Sequence, residues 1–172
     1  MTNKTPWSVT VRIEDIPEGG RRFEVAADEP TRAAVADLAG VNGISRLEAG
    51  FDVHRRGADG LHVAGEVSGS VQQTCSVSLE PMTSEIREGI DLVFRPATDP
   101  EDKRLRPKHT VSAEAEEDET LIDGRIDLGE IATEFLLLGV DPYPRKEGAV
   151  FVEPAPPAKG SNPFEALARL KK

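Results

Sequence analysis

Residues 61–79 read LHVAGEVSGSVQQTCSVSL, and their rhythm decides the fold. Odd positions carry Leu61, Val63, Gly65, Val67, Gly69, Val71, Gln73, Cys75, Val77 and Leu79, whereas even positions carry His62, Ala64, Glu66, Ser68, Ser70, Gln72, Thr74, Ser76 and Ser78. Side chains alternate faces along a strand, so the stretch predicts β structure with one apolar and one wet face; no helical period fits it. At about 3.3 Å per residue the run would extend roughly 60 Å, far past an ordinary strand of about five or six residues, so a flat ribbon is excluded. Gly65 and Gly69 fall on the apolar parity, where a missing side chain permits a bulge or a tight coil. The expected scaffold is a strongly curved antiparallel sheet, with a partial barrel as its extreme form.

The flanking sequence extends this sheet. Leu47, Ala49, Phe51 and Val53 alternate with polar residues, and Gly57, Ala58, Asp59 and Gly60 supply a hairpin turn into the central strand. Glu80 and Pro81 make a second turn, after which Ile86, Ile90, Leu92 and Phe94 restore alternation, giving a three-stranded meander. Upstream, the alternation from Trp7 to Ile13 predicts a first strand, and Pro17, Gly19 and Gly20 turn it into a short return strand carrying Phe23 and Val25. Asp28, Glu29 and Pro30 then start a short helix that Gly40 stops. Asp127 and Glu130 form a capping box for the main helix, whose stripe of Leu128, Ile131, Ala132, Phe135, Leu136 and Leu138 is expected to seal the sheet. Asp141, Pro142, Tyr143, Pro144 and Arg145 follow as a rigid extended piece. The fold class is therefore α+β.

Composition bounds the domain plan. With 172 residues and 38% hydrophobic content, one core is the default, and residues 1–152 read as a single α+β domain. Within it, residues 97–122 are rich in acidic residues and poor in large apolar ones, so they read as a mobile acidic loop. Residues 153–160, with Pro154, Pro156 and Pro157, read as a semi-rigid linker. Residues 161–172 read as a C-terminal docking helix: Asn162 caps, Pro163 takes the first helical position, and Phe164, Leu167 and Leu170 give an apolar side beside Arg169, Lys171 and Lys172. That side needs a groove, either on the chain's own sheet or on a partner.

Charge and chemistry narrow the function classes. A formal charge of −10 repels a phosphate backbone over most of the surface, and 5% aromatics leave few rings on which bases could stack. Cys75 is the only cysteine, which excludes an internal disulfide and a cysteine-cluster metal site and fits a reducing compartment. Met1 to Trp7 lacks the apolar core of a signal peptide and no run is apolar enough to span a bilayer, so the expectation is a soluble, cytoplasmic protein without a membrane partner. There is no phosphate loop, nucleophile elbow or zinc-protease motif, and His54, His62 and His109 stand in unrelated contexts as solvent-exposed residues. A hydrolase would need a cleft of perturbed carboxylates; Asp127 is the one candidate, and capping accounts for it. Cys75, on the apolar parity, is expected to be an inert buried thiol with a raised pKa. No catalytic residue, metal ligand or cofactor is assigned.

Gln73, Thr74, Cys75, Ser76, Val77, Ser78, Leu79, Glu80 and Pro81, then Asp127 and Leu128 through Glu134, then Pro142, Tyr143, Pro144 and Arg145, and finally Asn162, Pro163, Phe164, Leu167, Leu170 and Lys171 occur in one order. In this the chain resembles the YceD family, the large ribosomal RNA subunit accumulation proteins of bacteria and plastids, from about Thr31 onward. The resemblance marks Cys75, Leu79, Glu80, Pro81, Asp127, Leu128, Glu134 and Pro144 as family positions. It implies a role in accumulation or processing of 23S ribosomal RNA, and with no catalytic motif in the chain the expectation is a non-enzymatic factor. Many members carry Cys-x-x-Cys where this chain has Cys75, Ser76, Val77 and Ser78. The implied partner is a large-subunit ribosomal protein or a precursor particle, met by the acidic surface with Asn162, Pro163, Phe164, Leu167, Leu170 and Lys171 as the binding segment. Direct contact with ribosomal RNA, through Lys159, Arg169, Lys171 and Lys172, is an alternative. A regulatory link to fatty-acid and phospholipid synthesis, implied by gene neighbourhood in the family, is another.

Overall fold

The structure, a computed structural model, describes residues 5–57, 59–96, 119–121, 123–151 and 153. In chain order the elements are β1 (Thr10–Arg12), one 3-10 turn (Ile13–Asp15), β2 (Arg21–Ala26), α1 (Glu29–Ala39), β3 (Gly43–Arg56), β4 (Gly60–Thr74), β5 (Pro81–Pro96), β6 (Glu119–Leu121), β7 (Arg125–Asp127) and α2 (Leu128–Gly139). The main sheet is ordered β2-β3-β4-β5-β6, and β1 pairs with β7 in a separate ribbon. β3, β4 and β5 form the expected antiparallel meander, paired along the whole of β4. The sheet is curved and open, since its edges, β2 and β6, do not meet. The chain is thus an α+β protein.

The two-residue rhythm becomes the core. Leu61, Val63, Val67 and Val71 of β4 are fully buried, together with Phe51 and Val53 of β3, Val35 of α1 and Leu128, Ala132 and Leu136 of α2. Each such aliphatic side chain contributes roughly 1.5–3 kcal/mol by leaving water. β3 breaks parity once. Its register slips between Ile44 and Arg46, and the extra residue lets both Ile44 and Leu47 face the core. Both helices start as their sequences predict. Asp28 accepts the Thr31 N–H at 3.0 Å to cap α1, and Gly40 ends that helix in the left-handed region at φ 66°.

Four expectations are corrected. The central strand stops at Thr74 instead of running to Leu79, because Cys75 donates its N–H to the Glu80 carbonyl at 2.8 Å and residues 76–78 turn back. Leu79 consequently sits at φ 60° and is 76% exposed. The strand expected from Trp7 shrinks to β1, and β2 pairs with β3 instead of returning along it. The acidic stretch is not a loop to its end: Glu119–Leu121 adds to β5 as a parallel edge strand and buries Leu121. Leu138 is 73% exposed, because two residues from Leu136 it lies about 160° round the helix from it. Residues 97–118 and 154–172, hence most of the acidic stretch, the proline-rich linker and the C-terminal segment, lie outside the described residues.

β3 and β4 cross closely at Gly65, where a Cβ would stand 2.2 Å from the Gly50 carbonyl oxygen, a backbone atom that cannot step aside. Gly65→Ala is therefore expected to cost about 1–3 kcal/mol in urea denaturation. Gly89→Ala on β5, where a Cβ meets nothing within 4 Å, should stay within about 0.5 kcal/mol of the parent.

Candidate functional site

α2 leaves a groove of about 610 Å³ between itself, β7 and the C-terminal part of β5. Its apolar lining comes from Leu92 and Phe94 of β5, Ile126 of β7, and Ile131, Phe135 and Leu138 of α2. Exposed carboxylates of Glu119, Asp123, Glu130 and Glu134 border it, with Arg125 as the one cation of the lining. The result is an apolar trough with an acidic rim.

Asp127 also lines the groove, but its carboxylate is occupied. One oxygen accepts the N–H of Val9 at 2.7 Å, of Gly129 at 3.0 Å and of Glu130 at 3.2 Å, and the other accepts the Ser8 hydroxyl. Capping α2 and tying residues 8 and 9 to its start account for the position of this carboxylate. Carboxylates held below their usual range occur elsewhere, each through a donor: the Thr31 hydroxyl for Asp28, the Lys146 ammonium for Glu80 and the Ser70 hydroxyl for Glu85. These are structural pairings. Among the described residues no cluster of histidine, cysteine, aspartate or glutamate is arranged to hold a metal ion. No helix among them is long and apolar enough to cross a membrane.

A second constellation lies past the C-terminal end of α2. The Cys75 side chain is fully buried, as its parity predicts, but its pKa is lowered where burial alone would raise it. Its sulfur accepts the Lys146 N–H at 3.3 Å and the Ser78 N–H at 3.4 Å. The Lys146 N–H first, then the Ser78 hydroxyl and N–H, lower its pKa from 9.0 to about 6, against the opposing push of burial. Around it, Gln73 donates to the Asp141 carbonyl at 2.8 Å, and Ser76 donates its N–H to the Pro144 carbonyl at 2.8 Å. Lys146 closes over Glu80 at 2.8 Å, which raises the lysine's pKa. The extended 141–146 segment is thereby fastened to the turn that ends β4.

The family positions thus fall into two groups. Cys75, Glu80 and the buried Pro144 meet in the turn, where Pro81 opens β5 and Leu79 points to solvent. Asp127 and Glu134 line the groove, and Leu128 lies beneath in the core. Asn162, Pro163, Phe164, Leu167, Leu170 and Lys171 lie outside the described residues. His54 is exposed, while His62 is half-buried with its ring nitrogen 2.7 Å from an Asp91 oxygen. The groove itself escapes sequence reading; the nearest signal is the recurrence of Glu130 and Glu134 four residues apart beside an apolar stripe.

Replacing Asp127 with alanine removes the cap and the tie to Val9 together, so about 2 kcal/mol of stability should be lost in urea denaturation, with Asp127→Asn losing less because its amide oxygen still accepts. The thiol of the folded chain should titrate by its absorbance near 240 nm with a midpoint of about 6. Because the folded form loses its proton first, stability should rise with pH between about 6 and 9 and fall as pH drops through 6, and Cys75→Ala should flatten that rise.

A family model described as Large ribosomal RNA subunit accumulation protein YceD matches residues 63–171, more than half of the chain. The match takes in most of β4, the Cys75 turn, the whole of α2 and the lining of the groove apart from Thr10, and begins after α1 and β3, later than the resemblance from Thr31 implied. No curated protein and no solved structure matches the chain. With the Cys75 turn, the Asp127 cap and the Glu134 position all inside the matched span, the chain belongs to the YceD family of large ribosomal RNA subunit accumulation proteins.

Proposed function

We propose that the chain is a non-enzymatic factor of large ribosomal subunit biogenesis, and that it supports 23S ribosomal RNA accumulation by holding a basic ribosomal protein or a precursor particle at the groove beside α2. The observation that carries this reading is the combination of an apolar trough and an acidic rim inside the span matched by the family. Ribosomal proteins that must be kept from premature contact with RNA are cationic, and a carboxylate rim draws them while the trough buries their apolar side chains. Direct RNA binding finds less support. Among the described residues Arg12, Arg22, Arg46, Arg87 and Lys146 are each paired with a carboxylate, which leaves them poorly suited to phosphate.

Depletion should lower mature large-subunit RNA, and the protein should co-sediment with precursor particles; normal subunit profiles after depletion would overturn the reading. Glu130 and Glu134 are exposed, so Glu130→Lys/Glu134→Lys should fold normally yet co-sediment roughly tenfold less. The parent's co-sedimentation should weaken as salt rises, since exposed charges are screened over about 8–10 Å at physiological ionic strength.

A further inference from the structure

We infer that the groove beside α2 is a docking site for residues 161–172 of the same chain. Three observations converge on that occupant. The trough leaves Leu138 73% exposed and Phe135 only half-buried, so no segment among the described residues covers it. The segment SNPFEALARLKK presents Phe164, Leu167 and Leu170 at three-residue spacing, and its twelve residues equal α2 in number. Charge then selects it over the other undescribed stretch. Residues 154–172 carry Lys159, Arg169, Lys171 and Lys172 against Glu165 alone, whereas residues 97–118 carry seven carboxylates against four Lys and Arg residues. Only the former is net basic, the charge that complements an acidic rim.

Reach is sufficient. The 141–146 segment is fastened at the C-terminal end of α2 through Gln73, Ser76 and Cys75, and this fixes where the following chain departs. Residues 154–160 can span roughly 20 Å as a proline-rich spacer, against about 18 Å for the twelve residues of α2. A tether this short supplies an effective concentration of the order of millimolar, so even a weak apolar contact is occupied in cis. Docked there, the segment hides its own apolar side and the groove together. A basic partner would then have to displace it, a consequence that rests on the proposed function; the docking itself does not.

The test uses the full-length chain with p-benzoylphenylalanine in place of Leu138, irradiated without any partner and mapped by mass spectrometry. The expected product is a cross-link to residues 161–172 at monomer mass, its yield falling severalfold between about 0.05 and about 0.5 M salt. Arg169→Glu/Lys171→Glu/Lys172→Glu should abolish it, and adding Glu130→Lys/Glu134→Lys should restore it. The same probe in place of Glu24, on the polar side of the sheet, should give none. Cross-linked dimers would assign the groove to a second copy, a link to residues 97–118 would assign it to the acidic stretch, and no link above the Glu24 control would leave it empty. Each of these overturns the proposal, and none touches the ribosomal reading, which co-sedimentation tests separately.

Discussion

The close approach of α2 to β4 governs the arrangement of the other parts. At Gly69 a Cβ would stand 2.9 Å from the Leu136 methyl and 3.2 Å from the Arg46 carbonyl oxygen, so the helix settles into space that any larger residue would fill. With Leu128, Ala132 and Leu136 on that contact line, the helical period sends Ile131, Phe135 and Leu138 to one flank. β7 and the end of β5 stand opposite that flank, and the trough is the space between. The groove is thus a by-product of seating one helix deeply on a curved sheet. Because the seating depends on a missing side chain, it is set by the same residue that interrupts the apolar rhythm of the strand.

How much of this could be read in advance follows from the range of each interaction. The meander, both helix starts and the Gly40 stop rest on periodicity and on contacts within a few residues, and these are written locally in the sequence. The end of β4 is not. Val77 and Leu79 keep the parity of a strand, but the Cys75 N–H turns to Glu80 and its sulfur takes an N–H from Lys146, a residue far along the chain. β6 is three residues long with one apolar residue, Leu121, at the end of an acidic stretch, so no alternation announces it; only its pairing with β5 does. In β3 the bulge after Ile44 places two residues of opposite parity on one face, which erases the alternation just where the strand begins. The groove was illegible for the same reason, since its walls come from β5, β7 and α2 and no single stretch records their meeting.

Cys75 shows how burial alone misleads. A thiol enclosed by apolar atoms holds its proton, and parity placed Cys75 among them. Yet Lys146 of the segment after α2 and Ser78 within the turn both aim N–H groups at the sulfur, and those dipoles oppose desolvation. Where Cys-x-x-Cys would place a second thiol, Ser78 contributes its hydroxyl and N–H instead, so in this chain hydrogen bonds to the sulfur close the turn. The sulfur is a structural acceptor. It gathers the Lys146 N–H on one side and Ser78 on the other, and so holds the segment that follows α2 against the strand that precedes the turn.

That anchoring bears on where the chain's charge can act. A net charge of −10 suggests a uniformly acidic surface, but the polar side of the sheet is partly neutralised from within, three arginines standing among five carboxylates. There Arg46 pairs with Glu48 and Glu85, Arg22 with Glu24 and Asp52, and Arg87 with Glu66. Such exposed pairs add little stability, yet they weaken the field a distant cation would feel. At the groove Arg125 faces the carboxylates of Glu119, Asp123, Glu130 and Glu134, and the low-dielectric floor of Phe94, Ile131 and Phe135 strengthens their attraction for a cation that brings apolar side chains with it. A purely charged ligand would gain the rim but waste the floor, and a purely apolar one would gain the floor while desolvating the rim. A segment that is basic and amphipathic at once would meet both the rim and the floor.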